Sequence, residues 1–210
     1  MKRLQHDTAT GWMLASAALK SRAGGALLTI LLFALGVAII VALLLVNRQL
    51  EAKSEKDNAG IDLVVGAKGS PLQLVLSSVY HVDIPTGNIG GEDAQRIAAM
   101  PRVKTAVPLA LGDSYRRFRI IGTDARFDAL YGLKLATGMR ATQPMQATLG
   151  ATAARESGLT IGATFAGNHG LSEGGGAHGE EKFIVTGVFA PTGSVADRLI
   201  LTPLESVWHL

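Results

Sequence analysis

The chain has 210 residues, no cysteine, 18% charged residues and 48% hydrophobic residues. The lack of cysteine excludes a disulfide-stapled module and a cysteine-ligated zinc or iron–sulfur protein, and the apolar content excludes a disordered chain. The first 25 residues hold four basic residues and one acidic residue, whereas the rest hold 16 of each sign, so the net charge of +3 lies at the N-terminus. A charge-balanced remainder argues against a nucleic-acid-binding domain, which needs a basic face.

The first predicted element is an amphipathic helix within residues 1–25. Apolar side chains recur at helical spacing between residues 12 and 19, beside Lys20 and Arg22. Such a helix is expected to lie at the cytoplasmic interface of a membrane. The alternative is a simple extension of the membrane helix that follows. Gly24 and the glycine after it favour a bend between the two helices.

Residues 26–46 form an uncharged run that is long enough to cross a membrane. The run contains 15 Leu, Ile, Val and Phe residues, and about 20 apolar residues span a hydrocarbon core of about 30 Å. A cleaved signal peptide is the alternative, but its apolar part usually has about 7 to 15 residues before a small-residue cleavage site. Because positive residues stay inside, Lys20 and Arg22 predict a cytoplasmic N-terminus and a periplasmic location for residues 47–210.

A charged, helix-compatible stretch at residues 47–59 predicts a stalk, and a folded domain is expected at residues 60–210. Its strands and short helices intermix without a regular βαβ rhythm, so the predicted fold class is α+β with a mixed sheet, carried on a single N-terminal transmembrane helix. Helices are expected at residues 72–82, 92–100, 126–131 and 152–157, and strands at residues 61–67, 103–111, 117–122, 146–149, 160–165, 182–189 and 198–201.

A glycine-rich stretch at residues 167–181 is predicted to be a flexible loop between two strands. It concentrates imidazole and carboxylate groups, which suit a divalent metal such as zinc. The alternative is a solvated insertion whose composition only keeps it soluble. The candidate metal ligands are His169, Glu173, His178, Glu180 and Glu181.

No catalytic constellation is visible in the sequence. Residues 66–70 (GAKGS) lack the spacing of a Walker A loop, and the motifs G-x-S-x-G and H-E-x-x-H are absent. His81, near the end of a predicted apolar helix, is expected to be a packed or capping histidine and not a ligand. We therefore expect no enzymatic activity, and no cofactor held by this chain apart from the zinc considered above.

Several segments together resemble a known family. The order of interfacial helix, single span, stalk and exported α+β domain is similar to the N-terminal half of MacB/FtsX-type ABC transporter permeases. Residues 147–165 resemble that family's strand, small helix and G-L-x-x-G-x-x-F strand, and residues 182–191 (KFIVTGVFAP) resemble its F-x-V-x-G-V strand. Residues 62–88 and 191–208 resemble a subgroup associated with metal handling, which often carries histidines in the loop at residues 167–181.

The resemblance implies a MacB-like periplasmic core domain in the bacterial inner membrane and a division of labour between subunits. A separate cytoplasmic ABC ATPase would bind ATP and drive the spans and stalks of two permease copies, with the lipid bilayer and a periplasmic protein as further partners and no nucleic acid. Such permeases have four spans, so the chain is expected to be a fragment of one. The alternative is a single-pass anchored binding or sensor module, for example for zinc, without transport activity.

Overall fold

The computed structural model describes residues 2–58, 60–168 and 177–208. The chain divides into two compact units, Met1–Ala52 and Lys53–Leu210.

The first unit is helical. Helix α1 spans Lys2–Ser21, and helix α2 spans Ala23–Asn58 and so continues into the second unit. The interruption falls at Arg22, whereas Gly24 and its neighbour lie inside α2, so the predicted glycine bend was misplaced by two residues. Within the described residues, α2 is the one helix long and apolar enough to cross a membrane, and the apolar side chains of this stretch are exposed.

The second unit mixes strands and short helices, as the sequence predicted. Its elements are α3 Pro71–Ser78, α4 Gly91–Ala98, β1 Ala110–Tyr115, β2 Phe118–Gly122, α5 Ala125–Tyr131, β3 Leu135–Gly138, β4 Gln146–Leu149, α6 Ala151–Ser157, β5 Thr164–Asn168, β6 Ala177–Phe189, a 3-10 helix Val195–Arg198, β7 Ile200–Thr202 and α7 Leu204–Trp208.

The strands form one seven-stranded sheet in the order β3-β6-β4-β7-β2-β1-β5. Strand β5 also pairs with β6, so the hydrogen-bonded pairings close into a ring of six strands with β3 outside it. The β2–β7 and β4–β6 pairs are parallel, and the other pairs are antiparallel. The mixed sheet of the α+β prediction is therefore confirmed.

Two apolar clusters occupy opposite faces of this sheet. Ile120 and Ile121 are both fully buried, yet Ile120 belongs to the first cluster and Ile121 to the second. This division follows from strand geometry, because successive side chains point to opposite faces. The first cluster includes Phe118, Leu149, Phe183 and Ile200, and the second includes Phe127, Phe189, Leu199 and Leu201.

One predicted strand is absent, and two others begin several residues later than predicted. Residues 61–67 form no strand, and Leu63 and Val65 point their side chains to solvent, because this apolar run finds no neighbouring strand to pair with. The strand predicted at residues 160–165 begins only at Thr164 and runs on to Asn168. The strand predicted at residues 103–111 begins only at Ala110 and runs on through Gly112, so the turn to β2 falls at Arg116, which has φ 54°.

Candidate functional site

The predicted zinc ligands fall mostly outside the part of the chain that the structure describes. His169 and Glu173 lie outside the described residues. His178, Glu180 and Glu181 lie in β6, and their side chains are not among those described. Asn168 pairs with Ala177, so residues 167, 168 and 177–181 of the predicted loop belong to strands β5 and β6. Among the described side chains, no group of three or more potential metal ligands occurs.

The described residues do form a polar joint where α2 ends. Asp57 is 6% exposed, although it lies on a helix whose other described residues are mostly exposed. Its carboxylate accepts a hydrogen bond from Lys53 Nζ at 2.7 Å, and its backbone carbonyl accepts one from the Tyr131 hydroxyl at 3.0 Å. Lys53 Nζ also donates to the backbone carbonyl of Gly193 at 3.3 Å. The end of α2 is thereby tied to α5 and to the loop after β6.

A third segment reaches the same end of α2. The Tyr80 hydroxyl lies 3.4 Å from the Ser54 hydroxyl and donates to Asn58 Oδ1 at 3.5 Å, so both are long hydrogen bonds. Tyr80 follows α3, which Pro71 begins after an N-cap bond from the Gln73 amide to the Ser70 hydroxyl. We call this set of contacts, made by residues 53, 54, 57 and 58 of α2, the stalk joint.

The loop that receives Lys53 is held by a buried carboxylate. Asp197 accepts hydrogen bonds from the Thr192 amide at 2.8 Å, the Thr192 hydroxyl at 2.9 Å and the Gly193 amide at 2.8 Å. Gly193 has φ +74°, a left-handed conformation that glycine adopts without steric cost. Behind it, a Cβ on Gly150 would approach the Ala196 carbonyl oxygen to 2.3 Å, so only glycine allows this close packing.

An aromatic path leads from the stalk joint into the interior. The rings of Tyr131 and Phe127 have centroids 4.7 Å apart, and those of Phe127 and His81 are 6.2 Å apart. Burial, with the nearby charge of Asp57, raises the pKa of Tyr131 to about 12, so its hydroxyl stays protonated and can donate at physiological pH.

His81 ends this path as a buried and packed histidine, as the sequence predicted. It is 5% exposed, and burial together with the positive charge of Arg119 lowers its pKa to about 4, although the backbone of Ser77 opposes this shift. Neither ring nitrogen makes a well-formed hydrogen bond. The imidazole is therefore neutral at pH 7.

Sequence reasoning missed the stalk joint. Lys53 and Asp57 stand four residues apart in a charged stretch, which is also typical of a fully solvated helix face. The sequence feature that could have indicated the joint was the presence of Tyr80 and Tyr131 near the ends of short predicted helices. It did not show that these residues contact α2.

Residues 26–210 match the family described as the MacB-like periplasmic core domain. The chain belongs to this family. The resemblance to MacB/FtsX-type permeases is thereby confirmed, and a MacB-like core behind an apolar helix fits a protein of the bacterial inner membrane. The metal-handling subgroup stays a prediction.

Two solved structures are similar to the MacB-like core. The periplasmic region of MacB from Actinobacillus actinomycetemcomitans aligns with 15% identity and a TM-score of 0.46, covering 70% of this chain and 65% of that structure. The extracellular domain of the ABC-type transporter YknZ from Gram-positive bacteria aligns with 16% identity and a TM-score of 0.39, covering 56% and 63%. The chain thus spans less than two thirds of each. No curated protein matches it significantly.

Proposed function

We propose that the chain supplies the first span and the exported core of a permease subunit in an ABC-type transporter or mechanotransmission complex. Membership of the MacB-like family supports a permease-related role. In the proposal, a separate cytoplasmic ATPase hydrolyses ATP, a second permease copy completes the complex, and this chain performs no chemistry.

The observation that carries the proposal is the continuity of α2. The helix runs without interruption from its apolar part to Asn58, and its last turns end in the stalk joint. An α-helix is stiff along its axis because every turn is hydrogen-bonded to the next. A displacement of the membrane part would therefore reach α5 and the Gly193 loop through the joint, with no channel required.

The proposal includes an orientation, with the N-terminus cytoplasmic and residues 47–210 periplasmic. The chain has no cysteine, so single substitutions at the exposed residues Ser16 and Thr105 give probes without background. An impermeant thiol reagent should label Thr105→Cys in intact spheroplasts and label Ser16→Cys only after lysis. The reverse pattern, or equal labelling, would contradict the orientation.

The transport role is tested by assembly and coupling. Expressed from its natural reading frame and purified in mild detergent, the protein should carry an ABC ATPase and a second permease copy. Asp57→Asn should leave this assembly intact but reduce the response of ATP hydrolysis to the permease, because the negative charge that positions Lys53 for its bond to Gly193 is lost. Glu55→Gln, on an exposed face of the same helix, is the matched control. A monodisperse single-chain particle would contradict the proposal and favour an anchored sensor module.

A further inference from the structure

Residues 60–90, which we call the post-helix segment, are attached to the sheet by few buried side chains. Ser77, Val79 and His81 are 0%, 5% and 5% exposed, and they are its buried anchors. Many of its large apolar side chains face solvent, namely Leu63, Val65, Leu72, Val75, Val82, Ile84 and Ile89.

The post-helix segment also has internal hydrogen bonds, so it can move as a rigid body. Gln73 Nε2 donates to the Ile84 carbonyl at 2.9 Å, and the Thr86 hydroxyl donates to the Ala67 carbonyl at 3.1 Å. These bonds join its beginning to its end without involving the sheet. Loss of the buried anchors would therefore release the whole segment and not only one loop.

His81 is the strained member of these anchors. Its φ is 54°, which is uncommon for a residue with a side chain, and both of its ring nitrogens are buried without a partner. Arg119 on β2 acts on it with a positive charge, is itself 6% exposed and leaves its Nε unpaired. Phe127 packs beside the ring. The site therefore tolerates a neutral imidazole better than an imidazolium.

The charged and titratable groups around His81 do not neutralise the positive charge that its protonation would add beside Arg119. They are Arg119 on β2, Asp83 in the segment itself, Tyr131 on α5 and Asp57 at the end of α2. Asp83 acts on Arg119, and Asp57 is paired with Lys53. Tyr131 stays neutral. An imidazolium at His81 would thus meet an apolar ring and a like charge.

We propose that protonation of His81 releases the post-helix segment from β2 and α5 and so breaks the contacts of Tyr80 with α2. The segment is then an acid-sensitive clamp on the stalk joint. In the open state His81 is hydrated and takes a proton at its ordinary pKa of about 6.5. In the closed state it takes one only near pH 4. As the pH falls between these values the open state alone gains a proton, so opening becomes more favourable. The effect on the stalk rests on the proposed permease function, whereas the opening itself does not.

Amide hydrogen exchange of the full chain in detergent micelles measures the opening directly. After correction for the intrinsic pH dependence of exchange, protection of residues 76–84 should fall roughly 50-fold between pH 7.5 and pH 4.5. Residues 183–188 in β6 report on the sheet and should keep most of their protection. His81→Asn should show no comparable fall, because asparagine tolerates the left-handed conformation and does not titrate.

Three outcomes decide the proposal. A fall of less than about threefold at residues 76–84 of the wild-type chain, measured without any variant, overturns it. An unchanged pH profile in His81→Asn also overturns it, because another group is then responsible. The third outcome combines both measurements. The segment opens as expected, but the pH dependence of ATP hydrolysis is the same in the wild-type complex and in His81→Asn. In that case the acid-induced opening is confirmed and its proposed effect on the stalk is wrong.

Discussion

Replacing Asp197 with asparagine tests whether one buried carboxylate shapes the loop that receives Lys53. Its Oδ1 accepts the amide and the hydroxyl of Thr192, and its Oδ2 accepts the amide of Gly193. Asparagine has the same shape but only one acceptor oxygen. Its oxygen can face the two donors of Thr192, and its NH₂ group then faces the Gly193 N–H.

The expected loss follows from this count. Asp197 is 8% exposed, so water does not replace the missing acceptor. A hydrogen bond to a charged group contributes about 1.5 to 3 kcal/mol, and a buried donor left unpaired costs about 1 to 3 kcal/mol. The amide and the hydroxyl of Thr192 keep an acceptor in the variant, but this acceptor is a neutral amide oxygen. We therefore expect Asp197→Asn to lower the free energy of unfolding of the second unit by about 3 kcal/mol.

Pulse proteolysis of the full chain across a urea series, in mild detergent, measures this loss because the sheet unit becomes cleavable as it unfolds. The matched control is Asp62→Asn, which makes the same change at an exposed carboxylate and should shift stability by less than about 0.5 kcal/mol. If the two variants unfold at the same urea concentration, Asp197 does not hold the loop that receives Lys53.

Three further predictions concern the histidines and the core. Between pH 6.5 and about 4 the unfolded chain is protonated at His81 before the folded one, so acid should destabilise the wild type by about 3 kcal/mol more than His81→Asn, as measured by urea unfolding at several pH values. Leu149→Ala, at a fully buried position, should cost about 3 kcal/mol in the same assay, whereas Leu63→Ala, at 77% exposure, should cost almost nothing. Calorimetric titration should show modest zinc binding that weakens from pH 7.5 to 5.5 and disappears in a His169→Ala, His178→Ala double variant, and binding that persists there would place the site elsewhere.

The parts of the fold that sequence predicted well are those with local signals. Strand β4 was predicted with the bounds it has, Gln146–Leu149, because Gly150 ends it and begins α6. Helix α5 begins one residue before its prediction, where Asp124 caps it. The strand predicted at residues 61–67 failed because a strand needs a partner, and no local pattern reveals whether one is available. Strand β3 was missed since all four of its residues are exposed and show no alternation.

The stalk joint was out of reach for a different reason. Its bonds connect residues far apart in sequence, 74 positions for Tyr131 with Asp57 and 140 for Lys53 with Gly193. Each partner taken alone is an ordinary surface residue type, and three of the acceptors are backbone carbonyls or side-chain amides that any sequence provides. Only the folded chain shows that Asp57 is buried, which marks this end of α2 as distinct from a solvated stalk.

The geometry of the joint also limits which motion of α2 can pass through it. Its four contributing residues, at positions 53, 54, 57 and 58, lie within about 140° around the helix axis, at 100° per residue. Hydrogen bonds weaken steeply when donor and acceptor are misaligned, whereas apolar contacts can slide. A rotation of α2 by a single residue step would therefore break the bonds that leave the helix, to Gly193, Tyr131 and Tyr80, unless these partners turned with it. The bond between Lys53 and Asp57 lies within α2 and would persist. In the proposed permease, directional bonds on one helix face would thus pass rotation and axial displacement of the end of α2 to α5 and to the Gly193 loop, whose conformation the buried carboxylate of Asp197 fixes.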